Sequence, residues 1–218
     1  MNEELKAALA GWGVTLTPAQ EGRLEIYAAR LIESNAVMNL ISQADEAAVW
    51  PRHIADSLAA APLLRRYAKP GALICDSGTG AGFPGVPLAA ALEEYRFELV
   101  DSIGKRCAFI SGALAAMGTE NAAVFQRRVG EGPKAPRYAA VTERAMGKLE
   151  NILPQCLNML TEGGVFLAWQ SAAQVASVRP EVEKAMAAAR AVLAEKAGYR
   201  LPGEKEDRFI LVFRKQGR

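Results

Sequence analysis

Histidine is almost absent from this sequence: His53 is the only one in 218 residues. The three cysteines, Cys75, Cys107 and Cys156, are odd in number and far apart, and no C-x-x-C pair occurs. A zinc site needs several thiolate or imidazole ligands at short spacing, and a disulfide framework needs partners. Both are set aside, no metal is expected, and the cysteines read as small buried hydrophobes. No apolar run reaches the roughly 18 residues of a membrane-spanning helix. The first residues, MNEELKAALAGWG, put Glu3 and Glu4 ahead of a short, interrupted apolar stretch, unlike a signal peptide. The expectation is a soluble, cytoplasmic protein with no membrane partner. Aromatic residues make up only 7% of the chain, which argues against an extended stacking platform for single-stranded nucleic acid.

What is present is apolar in half its residues and long enough for one substantial core with a small appended piece. The net charge of +2 hides an uneven distribution. Residues 1–60 carry four basic and eight acidic side chains, whereas residues 103–150 and 190–218 each carry eight and four. This asymmetry points to a polyanionic partner facing the later part of the chain.

Residues 1–70 read as helical. Thr17, Pro18 and Gln20 form a capping box with proline at the first turn, and Leu24, Tyr27, Leu31 and Ile32 follow at helical spacing. After Pro70-Gly71 short apolar runs alternate with helical stretches: ALIC (72–75), a helix from about Pro84, FELV (97–100), a helix over 105–117, AAVFQ (122–126), AAVT (139–142), a helix over 149–160 stopped by Gly163-Gly164, and VFLAW (165–169). That order predicts parallel strands with crossover helices. AMAAARAVLA (185–194) is expected to be helical, and RFILVFR (208–214) a last strand with VLAEKAGYRL (192–201) as its antiparallel neighbour. No long heptad pattern demands a partner copy, so a monomer is expected.

The turn from first strand to first helix is CDSGTGAGFPG, residues 75–85. In an open α/β sheet this turn lies at the ligand crevice. Glycine there adopts backbone angles closed to other residues and lets a ligand approach, while N–H groups at the start of the helix attract negative charge. GAGFPG (80–85) matches the G-x-G-x-x-G of dinucleotide sites, and with Asp76 the stretch also reads D-x-G-x-G-x-G, the form common to S-adenosylmethionine-dependent methyltransferases. Asp101 ends the second strand, 25 residues after Asp76, where a carboxylate can accept from both ribose hydroxyls of either cofactor. It therefore supports a nucleoside ligand without choosing between them.

Four stretches taken together carry a family resemblance: DSGTGAGFPGVPLA (76–89), VDSIGKR (100–106), NLIS (39–42) and RHIADSL (52–58). From about residue 24 to the last strand, the chain resembles the bacterial glucose-inhibited division protein B family, the guanine-N7 methyltransferases of small-subunit (16S) ribosomal RNA. The resemblance implies a class I S-adenosylmethionine-dependent methyltransferase fold: a Rossmann-like, mostly parallel seven-stranded sheet with a final antiparallel strand over residues 71–218, and a helical extension over 1–70. It implies S-adenosylmethionine as cofactor, with 16S ribosomal RNA, the small subunit or an assembly intermediate as partner. The cofactor-binding residues it implies are Asp76, Gly78, Gly80, Gly82, Phe83, Asp101, Val129, Gly130 and Arg144. Arg144 corresponds to the arginine of the family's S-R-A motif, at the cofactor and substrate cleft. Gly130 stands where the family usually has Glu, Ala139 where an acid commonly begins a strand, and Glu143 where a small hydroxyl residue precedes the arginine.

Guanine N7 carries an in-plane lone pair and no proton at neutral pH, so the expected chemistry needs no general base. Positioning alone can supply several kcal/mol. Arg144 is the expected active-site residue, orienting guanine O6, a phosphate or the methionine carboxylate through its fork of donors rather than acting as acid or base. Lys105, Arg106, Arg128, Lys148 and His53 are the candidate RNA contacts, with Arg127, Lys134 and Arg137 as further phosphate-binding candidates. Because an RNA duplex hides N7 in its deep groove, the target guanine is expected in an accessible loop. Two competing readings remain: a nicotinamide-dependent oxidoreductase using GAGFPG, and an RNA-binding assembly protein that has lost transfer. Calorimetry with each cofactor separates the first, and label transfer to small subunits the second.

Overall fold

The computed structural model describes residues 1–129, 138–144, 147–175 and 180–217. Gly130, Lys134 and Arg137 lie outside them. The chain begins with α1 (Glu3–Gly11) and α2 (Pro18–Met38), followed by α3 (Gln43–Glu46), a π-helical turn (Trp50–Ala55), α4 (Asp56–Leu58) and α5 (Ala61–Tyr67). The capping box forms at the start of α2: Gln20 N donates to Thr17 Oγ1 at 3.3 Å and Thr17 N to Gln20 Oε1 at 2.9 Å. Leu24, Tyr27, Ala28, Leu31 and Asn35 make its buried stripe, while Ile32, expected on that face, is largely exposed.

The remaining elements are β1 (Leu73–Ser77), α6 (Gly85–Ala91), β2 (Arg96–Asp101), α7 (Gly104–Met117), β3 (Ala122–Gln126), β4 (Tyr138–Glu143), α8 (Leu149–Met159), β5 (Leu160–Ser171), α9 (Ala172–Val175), α10 (Pro180–Ala188), β6 (Ala191–Tyr199) and β7 (Arg208–Lys215). The seven strands form one sheet in the order β3-β2-β1-β4-β5-β7-β6. The pairs from β3 through β5 are parallel, and β7 runs antiparallel to both β5 and β6. Strand order reverses between β1 and β4, where a doubly wound sheet opens its crevice.

Strict alternation divides the core into two layers. Ile74, Leu99, Ala140, Val165 and Leu167 face the helices of the first 67 residues together with α6 and α7, in one continuous hydrophobic cluster. Cys75, Val100, Val141, Phe166, Ala168 and Phe213 face α8 and α10. A sheet covered on both faces needs apolar residues at every position, which is why its central strands read as unbroken apolar runs. The N-terminal helices share their core with the sheet.

Two local expectations are corrected. The helix within AMAAARAVLA ends at Ala188; Arg190 takes a left-handed conformation, and from Ala191 the chain pairs with β7. Alanine's helix propensity, a weak preference, gives way here to the open edge of β7. The glycine pair does not stop α8: β5 already begins at Leu160, and Gly163 (φ 76°) lies in β5 where its register to β4 breaks between Tyr138 and Ala140. No helix among the described residues is long and apolar enough to cross a membrane.

Candidate active site

At the carboxyl ends of β1, β2 and β4 lies a cavity of about 710 Å³. One wall is the glycine loop after β1. Gly78 and Gly80 have φ of 65° and 62°, angles that strain any side-chain-bearing residue. The loop is fixed from several sides. Thr79 N donates to Val100 O, and Phe83 N to Thr79 O, both at 2.9 Å. Gly80 N donates to Asp101 Oδ2 at 2.9 Å. From behind, the Tyr27 hydroxyl of α2 donates to Ala81 O at 2.8 Å. A Cβ at Gly82 would stand 2.8 Å from that hydroxyl and 2.7 Å from Val86 Cγ2, so α2 can approach only a bare backbone.

Asp76 has a different role from the expected one. Fully buried, it does not line the cavity; Oδ2 accepts from Gly85 N at 2.9 Å and Oδ1 from the Thr142 hydroxyl at 2.8 Å. The carboxylate thus ties the start of α6 to β4 beneath the loop, and the N–H at that helix start faces Asp76 instead of a ligand. Burial raises its pKa to about 6, against the opposing pull of its hydrogen bonds. Gly82 also sits outside the cavity lining.

The cavity brings together Gly78, Gly80, Phe83, Asp101, Arg106, Val129, Arg128, Arg144 and His53 from the expected set. Asp101 is well placed for ribose hydroxyls: besides Gly80 N it accepts from Ile103 N at 2.8 Å through Oδ1, with Arg106 Nη1 at 3.6 Å from Oδ2. Each oxygen keeps a further lone pair, so the carboxylate is fixed and still able to accept. Leu40 and Ile41, from NLIS, add an apolar wall that residue-type reasoning passed over. The buried amide of Asn35 anchors that segment by accepting from Ile41 N at 2.9 Å. Lys105 and Lys148 are exposed but lie outside the cavity. Arg127 lines it too, with its Nη2 bonded to Glu98 Oε2 at 2.8 Å and to the Tyr138 hydroxyl at 2.7 Å.

Arg144 follows β4 and forms the far wall. Two groups of the N-terminal helical segment orient it: Nη1 donates to Asp56 Oδ2 at 2.7 Å, and Nη2 to His53 Nδ1 at 2.8 Å. The guanidinium lies 4.9 Å from the centre of the Phe83 ring, on which His53 also stacks at 4.9 Å. Because a guanidinium only donates, His53 must accept at Nδ1 and carry its proton at Nε2. Burial, reinforced by the Arg144 charge, pushes its pKa down to about 4, so the ring is neutral at physiological pH. The π-helical turn and α4 supply both His53 and Asp56, an instance of irregular helix placed at a site. Beyond Arg144 and His53 a second cavity of about 420 Å³ opens, with Trp169, Gln170 and Ser171 in its wall.

The residues fit S-adenosylmethionine on the features of the cavity itself. A bare backbone, a fixed carboxylate at the end of β2 and an apolar wall meet in a space within the range of cofactor pockets. Among the described residues no group of three or more His, Cys, Asp and Glu could hold a metal.

Comparison with solved structures defines the class. An S-adenosylmethionine-dependent O-methyltransferase of Thermotoga maritima matches with a TM-score of 0.58 at 20% identity, over 86% of this chain and 72% of that one. A ribosomal protein L11 methylase of Lactobacillus delbrueckii subsp. bulgaricus matches with a TM-score of 0.57 at 16% identity, over 75% and 80%. The fold is that of class I methyltransferases. Sequence comparison narrows it further. The model of the rRNA small subunit methyltransferase G family matches residues 20–198. Proteins named ribosomal RNA small subunit methyltransferase G are 37% identical in Sorangium cellulosum, over 73% of this chain and 67% of that one, and 30% identical in Bacillus pumilus, over 98% and 90%. The chain belongs to the rRNA small subunit methyltransferase G family.

Proposed function

We propose that this protein methylates N7 of a guanine in 16S ribosomal RNA with S-adenosylmethionine as donor. The observation that carries the reading is the cavity in which the Gly78–Gly80 backbone and the Asp101 carboxylate converge, in a chain of this family. Gly78, Gly80, Phe83, Asp101, Val129 and Arg144 would hold the cofactor, with Asp76 and Gly82 supporting the loop from beneath. Bound there, S-adenosylmethionine supplies an electrophilic methyl group on a sulfonium sulfur.

Guanine N7 has a free lone pair, so the protein has no proton to remove. This agrees with a site whose single histidine is neutral and donor-bound at Nδ1. What the chain contributes is orientation and exclusion of water: Phe83, His53 and Arg144 form a stacked wall, and Arg106 and Arg128 in the cavity lining would contact phosphates. Lys105 and Lys148 would extend the RNA contact outside it. The reading includes a cytoplasmic monomer with a helical extension over residues 1–70 and a methyltransferase domain over 71–218.

The test is incubation with methyl-labelled S-adenosylmethionine and small ribosomal subunits from a strain lacking its own family enzyme, followed by nuclease digestion and nucleoside chromatography. Label in 7-methylguanosine is the expected result. RNA binding without label at any guanine would instead make the chain an assembly protein and overturn the reading.

A further inference from the structure

Asp56 is a buried, heavily engaged carboxylate that the cofactor reading leaves without a task. It is 1% exposed and stands in the N-terminal helical segment. Three later elements converge on it. Arg144, after β4, donates to Oδ2 at 2.7 Å. Tyr199, ending β6, donates to Oδ1 at 2.7 Å, and Arg208, opening β7, donates to the same oxygen at 3.2 Å. The Asp56 backbone carbonyl accepts from Trp169 Nε1 at 2.9 Å. Arg208 has a second carboxylate in Glu204, at 2.7 Å, whereas the carboxylate bonded to Arg144 is Asp56.

The arrangement fixes a side chain that would otherwise be loose. An arginine has about 2 kcal/mol of rotamer freedom to lose, and its fork is directional once two of its nitrogens are held. With Nη1 on Asp56, Nη2 points to His53 and the guanidinium face lies on Phe83. Arg144 and His53 line both cavities, and Phe83 backs them on the side of the larger one. We infer that Asp56 is a positioning residue for methyl transfer, acting through Arg144 by holding the wall against which donor and acceptor are aligned. The inference rests on the function proposed above. It also gives the N-terminal helical segment a part in the reaction, since the residue that holds Arg144 comes from there.

The experiment compares wild type, Asp56→Asn, Arg144→Gln, the double variant and Tyr199→Phe in kcat, KM for small subunits and calorimetric affinity for S-adenosylmethionine. His53, the only histidine of the chain, reports the place of Arg144 through its ring nitrogen signals in NMR. Asp56→Asn keeps the shape and removes the charge; misalignment on the ångström scale can cost up to about 100-fold, so kcat is expected to fall by about 10- to 100-fold, and cofactor affinity to fall no further than it does in Arg144→Gln. The Nδ1 signal loses its bonded character in that variant. Because Asp56 acts through Arg144, the double variant should match Arg144→Gln within about twofold. Tyr199→Phe removes a donor from Asp56 without touching Arg144, so it should lower the melting temperature and leave kcat and the His53 signal in place. Should Asp56→Asn fail to fold, Asp56→Glu retains the charge and displaces it by one methylene. Loss of kcat is expected there, and full activity would overturn the inference. Multiplying effects of Asp56→Asn and Arg144→Gln, or a fall in kcat for Tyr199→Phe as large as for Asp56→Asn, would likewise overturn it. A wild-type protein that binds the cofactor but labels no RNA would refute the proposed function instead.

Discussion

Adding one methyl group at Gly85 tests how the glycine loop is held. A Cβ there would lie 2.3 Å from Leu99 Cδ2, 2.6 Å from Asp76 Oδ2 and 2.8 Å from Asp76 Cβ, all closer than real contacts. The backbone at Gly85 is ordinary helix, so the cost is steric and not conformational. Overpacking of a close-packed interior costs about 1–3 kcal/mol. Moving Asp76 to relieve it weakens the hydrogen bond from Gly85 N, and a bond to a charged group is worth about 1.5–3 kcal/mol. The reduced entropy of the unfolded chain returns at most about 1 kcal/mol. The net expectation for Gly85→Ala is a loss of about 2–5 kcal/mol, or roughly 5–15 °C in melting temperature for a chain of this size. Gly22→Ala is the paired control: within α2 its Cβ would meet nothing within 4 Å, and the protein should gain about 0.5–1 kcal/mol. Calorimetric melts of both variants, with cofactor titrations, make the comparison. A Gly85→Ala protein that melts with wild type and binds cofactor normally would refute the packing of Asp76 under the loop.

Three further outcomes are expected. Asp101→Asn exchanges a charged acceptor for a neutral one and should weaken S-adenosylmethionine binding by about 10- to 100-fold in calorimetry. Tyr27→Phe leaves the Ala81 carbonyl without its buried donor, so urea denaturation should show a loss of about 1–3 kcal/mol. The pH profile separates two opposed groups. The Asp76 carboxyl is raised to about 6, so the stability it provides is present in acid and lost as pH rises toward 6. His53 is lowered to about 4, so its contribution is present above pH 6.5 and lost as pH falls toward 4. Between pH 4.5 and 6 these slopes oppose each other in wild type. In Asp76→Asn only the His53 slope remains, so the stability advantage of wild type over the variant should shrink by about 2 kcal/mol from pH 4.5 to 6; an advantage independent of pH would contradict the raised Asp76 pKa.

The sheet was legible because burial on both faces leaves an apolar record: β3 matches its predicted run, and β1, β2 and β4 differ from theirs by a residue or two at the ends. The β5–α10 half was less so. Whether alanines 185–194 continue as helix depends on the free edge of β7, a tertiary fact that local propensity does not carry. At the site, glycines and a strand-end acid announced themselves through chemistry that few other positions need. The supports did not: Tyr27 reads as one more apolar position on α2, and only the fold places its hydroxyl at Ala81. Asp76 shows the opposite error, since its place in D-x-G-x-G-x-G suggested a ligand contact where the structure has a buried brace. Leu40 and Ile41 had a signal in NLIS, visible as part of a family pattern and silent as residue types.

The measurement that tests the account most directly is the structure of a crystal soaked with S-adenosylhomocysteine, the demethylated product of the cofactor. The account predicts its ribose hydroxyls on the Asp101 carboxylate, its chain along the Gly78–Gly80 backbone, and its sulfur toward the wall of Phe83, His53 and Arg144. A ligand seated outside this cavity, or side chains collapsed across the bare backbone of the loop, would contradict it.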